Sequence, residues 1–124
     1  MSKVRMVIWG REFCPDIKYR IYQGKTVTPE QQEAVQFFMA TENCLERSLN
    51  HLKEYIQVNY ASMLDDSQID NIFKYVIPRT IYVPKQRQQN LIALLCDFKF
   101  DDDGIALVFT DGQLSEIGSQ DIIL

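Results

Sequence analysis

The last 35 residues, Asn90 to Leu124, constrain the fold most. They read NLIALLCDFKFDDDGIALVFTDGQLSEIGSQDIIL: three apolar runs separated by two short breaks. Leu91 to Phe100 is nearly all apolar, which fits either a buried helix or a buried strand. The breaks decide for strand. Asp103-Gly104 and Asp111-Gly112 are Asp-Gly pairs, and Asp-Gly between apolar runs favours a tight hairpin because glycine supplies the positive φ such a turn needs. The expectation is an antiparallel meander that ends with Leu114 to Ile117, a bend at Gly118, and Ile122 to Leu124. The unbroken run Ile92 to Leu95 predicts a central strand buried on both faces. Asp97, Lys99 and Asp101 alternate with Phe98 and Phe100, so one face of the strand should meet solvent there.

An acidic turn with glycine, an apolar strand, a second turn and the closing sequence Glu116-Ile117-Gly118-Ser119-Gln120-Asp121-Ile122-Ile123-Leu124 resemble the C-terminus of a group of small uncharacterised bacterial proteins. In that group the first turn usually reads tryptophan-acidic-x-acidic-histidine-glycine. Here Phe100-Asp101-Asp102-Asp103-Gly104 stands in its place, so any role of the histidine does not carry over. The resemblance covers the last third of the chain, reaching back towards Ile81-Tyr82-Val83-Pro84. Some members of the group sit beside toxin genes as candidate immunity proteins, and the resemblance implies a role of that kind.

Upstream, Lys3 to Trp9 and Ile17 to Tyr22 alternate with period two and predict two strands, with Gly10 to Asp16 as their connection. Thr28-Pro29-Glu30-Gln31 is a helix start: threonine caps, proline suits the first turn, and Gln31 completes a capping box. Ala34, Phe38, Thr41, Leu45, Leu49, Leu52 and Ile56 then follow one another in steps of three and four. They form the apolar stripe of a long helix, or of two helices broken near Thr41 to Asn43. Asp65-Asp66-Ser67 opens a shorter helix. Its stripe would be Ile69, Ile72, Phe73 and Val76, and Pro78 would end it. Thr80 to Val83 predicts a strand, and Lys85 to Asn90 a polar surface loop. The fold class expected is α+β: one domain over residues 1–124, with an antiparallel sheet of about five or six strands and the long (or broken) helix and the short helix on one face. A chain of 124 residues is long enough to bury an independent core.

The net charge of −4 is unevenly spread. Residues 1–29 carry +4, residues 30–89 carry −2, and residues 90–124 carry −6. The acidic end argues against nucleic acid on the meander and suits a basic protein partner. The basic start is expected instead to pair with the acidic end inside the fold. No apolar run approaches the length of a membrane span and the N-terminus has no secretory pattern, so a cytoplasmic protein is expected.

The three cysteines, Cys14, Cys44 and Cys96, form no pair with metal or redox spacing and are expected as free thiols. His51 is the only histidine, with Glu54 one turn on, and no nucleophile is near in sequence. The aspartates around Asp101 lack the spacing of a calcium loop, and no cofactor fingerprint occurs. Arg79, Lys85 and Arg87 make a small basic patch. The function expected is non-catalytic protein binding through Asp97, Asp101, Asp102, Asp103, Asp111 and Glu116. The alternatives are a small-molecule-binding or enzymatic domain with a pocket between helix and sheet, and a self-associating homodimer.

Overall fold

A computed structural model describes residues 2–21, 24–41, 43–64, 69–86 and 90–124. The strands are β1 (Ser2–Lys3), β2 (Met6–Ile8), β3 (Arg11–Phe13), β4 (Asp16–Tyr19), β5 (Val76–Val83), β6 (Leu91–Phe98), β7 (Asp101–Thr110) and β8 (Gln113–Gly118). The helices are α1 (Pro29–Ala40) and α2 (Cys44–Asn59). Six strands form one sheet in the order β1-β4-β5-β6-β7-β8, and β2 and β3 form a separate hairpin.

The sheet is mixed, which corrects the antiparallel expectation. β4 runs parallel to β5, with Asp16 beside Thr80 and Tyr19 beside Val83. The cause is the connection. The chain leaves β4, crosses one face of the sheet through α1 and α2, and re-enters from the same end, so the next strand must point the same way. The C-terminal strands are joined by short turns and alternate in direction.

The apolar stripe breaks at Thr41 to Asn43, as one of the two sequence alternatives has it. Thr28 caps α1, accepting a hydrogen bond from the Gln31 amide at 3.1 Å, while Gln31 Oε1 accepts from the Thr28 amide at 3.0 Å. Asn43 opens α2 at φ 70, a left-handed geometry that asparagine tolerates better than most residues. Ala34, Phe38, Leu45, Leu52 and Ile56 are buried against Ile81, Val83, Ile92, Leu94, Leu107 and Phe109 of the sheet. Tyr82, Leu91, Ala93, Leu95, Ala106 and Val108 form a second cluster with Ile123, as the chain folds back past Gly118. β6 is therefore central and buried on both faces, as its unbroken apolar run requires.

The expected short helix is not formed. Its start at Asp65-Asp66-Ser67 lies outside the described residues, as do Tyr22 and Arg87. A single 3-10 turn covers Ile72–Lys74, and β5 begins at Val76. Ile69, Ile72 and Val76 are buried all the same, because one tight turn followed by a strand also delivers them to the core. Pro78 lies inside β5 instead of ending a helix. β4 reaches only Thr80 to Val83, so the proline sits on the stretch of β5 that β4 leaves unpaired, beside a bulge, where its missing N–H costs no ladder bond.

The connection expected between the first two strands contains β3. β2 and β3 close over Trp9 and Gly10, both at positive φ (52 and 85), the mark of a type I′ hairpin turn. Trp9 is buried, and its indole N–H reaches Leu45 O at 3.1 Å and Ser48 Oγ at 3.2 Å, which pins the hairpin to α2.

Candidate functional site

Asp101 stands at the start of β7, and its Oδ1 accepts the Asp103 amide at 2.9 Å. That local bond holds the acidic segment in a fixed shape at the end of the sheet. Asp102 and Asp103 are exposed. The turn before them is not at Asp103-Gly104. Phe98 pairs with Asp101, so β6 and β7 are joined through Lys99 and Phe100. Gly104 lies within β7, at an irregularity where three residues of β7 face one of β6. Its φ of 72 and its surroundings both require glycine: a Cβ there would stand 2.6 Å from Cys96 O and 2.5 Å from Gln120 Nε2.

Moving the turn back four residues places aromatic side chains beside the acids. Tyr60 meets Phe98 edge-on at 4.9 Å and lies nearly parallel to Phe100 at 6.1 Å, and Tyr75 touches Phe100 at 5.4 Å. The Lys99 ammonium stands 5.8 Å from the Tyr75 ring. Burial raises the Tyr55 pKa, and the negative charge of Tyr60 and Asp101 raises it further. The Tyr55 phenol thus feels the field of the acidic segment. Only the strict alternation of Phe98 and Phe100 with charged residues hinted at this cluster. Tyr55, Tyr60 and Tyr75 come from distant segments and reach it only through the fold.

Asp97 belongs to the same end of the sheet. The Arg79 Nε–H donates to its Oδ2 at 2.6 Å, with both side chains more than half exposed, a pair of the kind worth about 0–1 kcal/mol. The two remaining predicted acids lie elsewhere. Asp111 sits in the β7–β8 turn, roughly 30 Å along β7 from Asp101, and its Oδ1 accepts from Asn90 Nδ2 at 2.8 Å. Glu116 lies on β8 and faces a shallow groove shared with His51, Glu54 and Tyr55 of α2. The structure therefore brings together Asp97, Asp101, Asp102 and Asp103, and sets Asp111 and Glu116 apart.

The basic N-terminal segment does not neutralise that end through the ion pairs described: Lys3 pairs with Asp16 at 3.8 Å and Arg5 with Glu12 at 3.5 Å. Arg79 lies midway along β5 and Lys85 two residues past its end, roughly 20 Å apart along the chain, so they share no patch. Cys14 is exposed, Cys44 and Cys96 are buried, and all three are free. Burial pushes both buried thiols up, Cys96 the more strongly. Among the described residues, no group of three or more His, Cys, Asp or Glu side chains converges as metal ligands, and no helix is long and apolar enough to cross a membrane.

Residues 6–124 match a family described as a domain of unknown function (DUF6985). The chain belongs to that family. The match extends far beyond the C-terminal third on which the resemblance in the sequence rests. In this DUF6985 domain it takes in both helices, the β2–β3 hairpin and the sheet strands from β4 to β8. No curated protein and no solved structure matches the chain.

Proposed function

We propose that this chain is a non-catalytic protein-binding domain whose partner presents a basic surface to the acidic end of the β6–β7 hairpin. The observation that carries the reading is the exposure of Asp102 and Asp103 on a backbone braced by the Asp101 bond, with Asp97 alongside. Charges held on a rigid strand end lose little entropy on binding and accelerate encounter with an oppositely charged partner. Tyr60 and Phe100 beside them offer ring surface to an incoming lysine or arginine stem. Asp111 and Glu116, at other places on the sheet, take no part.

In its finer form the reading is an immunity-type role in the cytoplasm, with the acidic end covering the basic active site of a toxin. Its support is the resemblance of the C-terminal third together with the charge.

The test is affinity capture of the tagged chain from a lysate of the organism that carries it, at low and high salt, beside an Asp102→Lys, Asp103→Lys variant. One stoichiometric basic protein should co-elute with the unaltered chain and be lost from the variant and at high salt. A partner retained equally by the variant, with unfolding curves that match, would sink the assignment.

A further inference from the structure

β8 is the last strand of the six-stranded sheet, so the backbone N–H and C=O groups along its outer edge have no strand of the sheet to pair with. The opposite edge is β1, only two residues long and too short to act as a template. β8 runs over Gln113–Gly118 and contains none of the lysines or prolines that commonly blunt an edge.

A groove of about 390 Å³ opens beside this edge. Its α2 wall is His51, Glu54, Tyr55, Val58 and Asn59, spaced i, i+3, i+4, i+7 and i+8 and therefore one stripe of the helix. That stripe is separate from the one α2 buries through Leu45, Ser48, Leu52 and Ile56. The strand wall is Leu114 to Ile117. Side chains of a strand alternate between faces, so a wall of consecutive residues exposes the edge of the strand, backbone included. The two walls match in length. From His51 to Asn59 the helix rises about 12 Å, and from Leu114 to Ile117 the strand spans about 10 Å.

The ladder between β7 and β8 slips between Glu116 and Leu114, and the slip shapes the groove. Leu114 pairs with Phe109 and Ile117 with Leu107, and both partners belong to the core under the helices. Leu114 and Ile117 thus both face α2 although they are three residues apart, a spacing that puts side chains on opposite faces of a regular strand. They give the groove an apolar floor, and Val58, 72% exposed, gives it an apolar rim. Glu54 and Glu116 stand on opposite walls, both exposed, and among the described residues no lysine or arginine lines this groove.

We propose that β8 and α2 bind an extended segment of a partner protein as a further strand of the sheet. The backbone of the segment pairs with the free edge of β8. Its apolar side chains lie over Leu114, Ile117 and Val58, and a lysine or arginine passes Glu54 and Glu116. In this mode main-chain hydrogen bonds supply affinity and the side chains in the groove supply selectivity. Charge decides for a partner over a second copy of this chain. Two β8 edges paired antiparallel about their midpoint would set their Glu116 carboxylates close together, and like charges across strands repel. The site shares no residue with the acidic end of the β6–β7 hairpin and does not depend on the reading given for that end.

The experiment selects a displayed library of random octapeptides on the full chain, then titrates the ¹⁵N-labelled chain with the selected peptide. Selected sequences should combine apolar residues with lysine or arginine. The titration should give saturable shifts confined to amides of residues 51–59 and 113–118. N-methylation of every second peptide amide removes the donors along one edge of an added strand. Methylation in one phase should abolish binding, and in the other phase it should leave affinity within about twofold. Glu54→Lys with Glu116→Lys should weaken the peptide about tenfold or more, since each reversal replaces attraction with repulsion at short range. The spectrum of the variant reports directly that it is folded, and Glu116→Lys alone serves if the double variant is not. No enrichment from the library, equal effects of the two methylation phases, or unchanged affinity in a folded variant would each overturn the proposal. So would a dimer of the free chain whose dilution shifts residues 113–118, because the edge would then belong to a second copy.

Discussion

Gly104 carries two demands at once, a positive φ and a space closed by Cys96 O and Gln120. An alanine there meets left-handed strain of about 1–3 kcal/mol before any clash is counted. Because one close neighbour is backbone, the site cannot relax by moving a side chain alone. Gly104→Ala should therefore lower the urea midpoint markedly, whereas Gly10→Ala, with nothing within 4 Å of its Cβ, carries only the conformational strain. Equal losses in the two variants would contradict the packing argument. The thiols give a second prediction at this scale. Only the thiolate reacts, and burial raises the pKa of Cys44 and Cys96. Labelling the native protein with a thiol reagent at neutral pH should modify Cys14 quickly, with the other two reacting only on unfolding. Fast native labelling of three thiols would show that the core opens.

The start of α1 separates a local interaction from a tertiary one. Thr28 serves only the helix, so Thr28→Ala should cost about 1 kcal/mol, the usual loss of a cap. Gln31 also satisfies carbonyls at the ends of two strands. Gln31→Leu would take the side-chain donor from the Arg20 carbonyl, while Val83 O keeps the Arg20 amide at 2.9 Å, so the loss should be about 1–3 kcal/mol beyond the lost cap. Denaturant unfolding of the two variants checks the order, and a Gln31→Leu loss no larger than that of Thr28→Ala would show that the strand ends find other donors. A capping box is legible in sequence because its partners are three residues apart. The bonds to Arg20 and Val83 span 11 and 52 residues and are not.

At the scale of the whole molecule, stability should fall in alkali. The Cys44, Cys96 and Tyr55 pKa values are all raised in the folded state, from usual values of 9.0 for the thiols and 10.0 for the phenol, first because burial disfavours the charged forms. The unfolded chain ionises these groups first. The stability they contribute is thus complete below about pH 9 and is lost as pH rises through the higher folded-state values. The urea midpoint should be flat around neutrality and decline above pH 9, and Cys96→Ala should decline less steeply than the unaltered chain. An identical alkaline slope in that variant would assign the loss to other groups.

The sequence by itself determined whatever a few neighbouring residues control. The capping box at Thr28, the hairpin turn at Asp111-Gly112, the buried character of β6 and the helical stripe from Ala34 to Ile56 all follow from turn chemistry and periodicity. The tertiary structure decided whatever depends on distant partners. Ile69, Ile72 and Val76 have helical spacing, yet a 3-10 turn and a strand bury them equally well once β6 offers Val76 a place opposite Phe98. The β6–β7 turn fell on Lys99-Phe100 instead of Asp103-Gly104 because Phe98 and Phe100 gain ring contacts with Tyr60 and Tyr75 there. The parallel β4–β5 pair joins strands more than fifty residues apart, and its direction was set by the helical crossing between them. Local rules reach across one turn. Which acids share an end of the sheet depends on pairings that form only when the whole chain closes around one core.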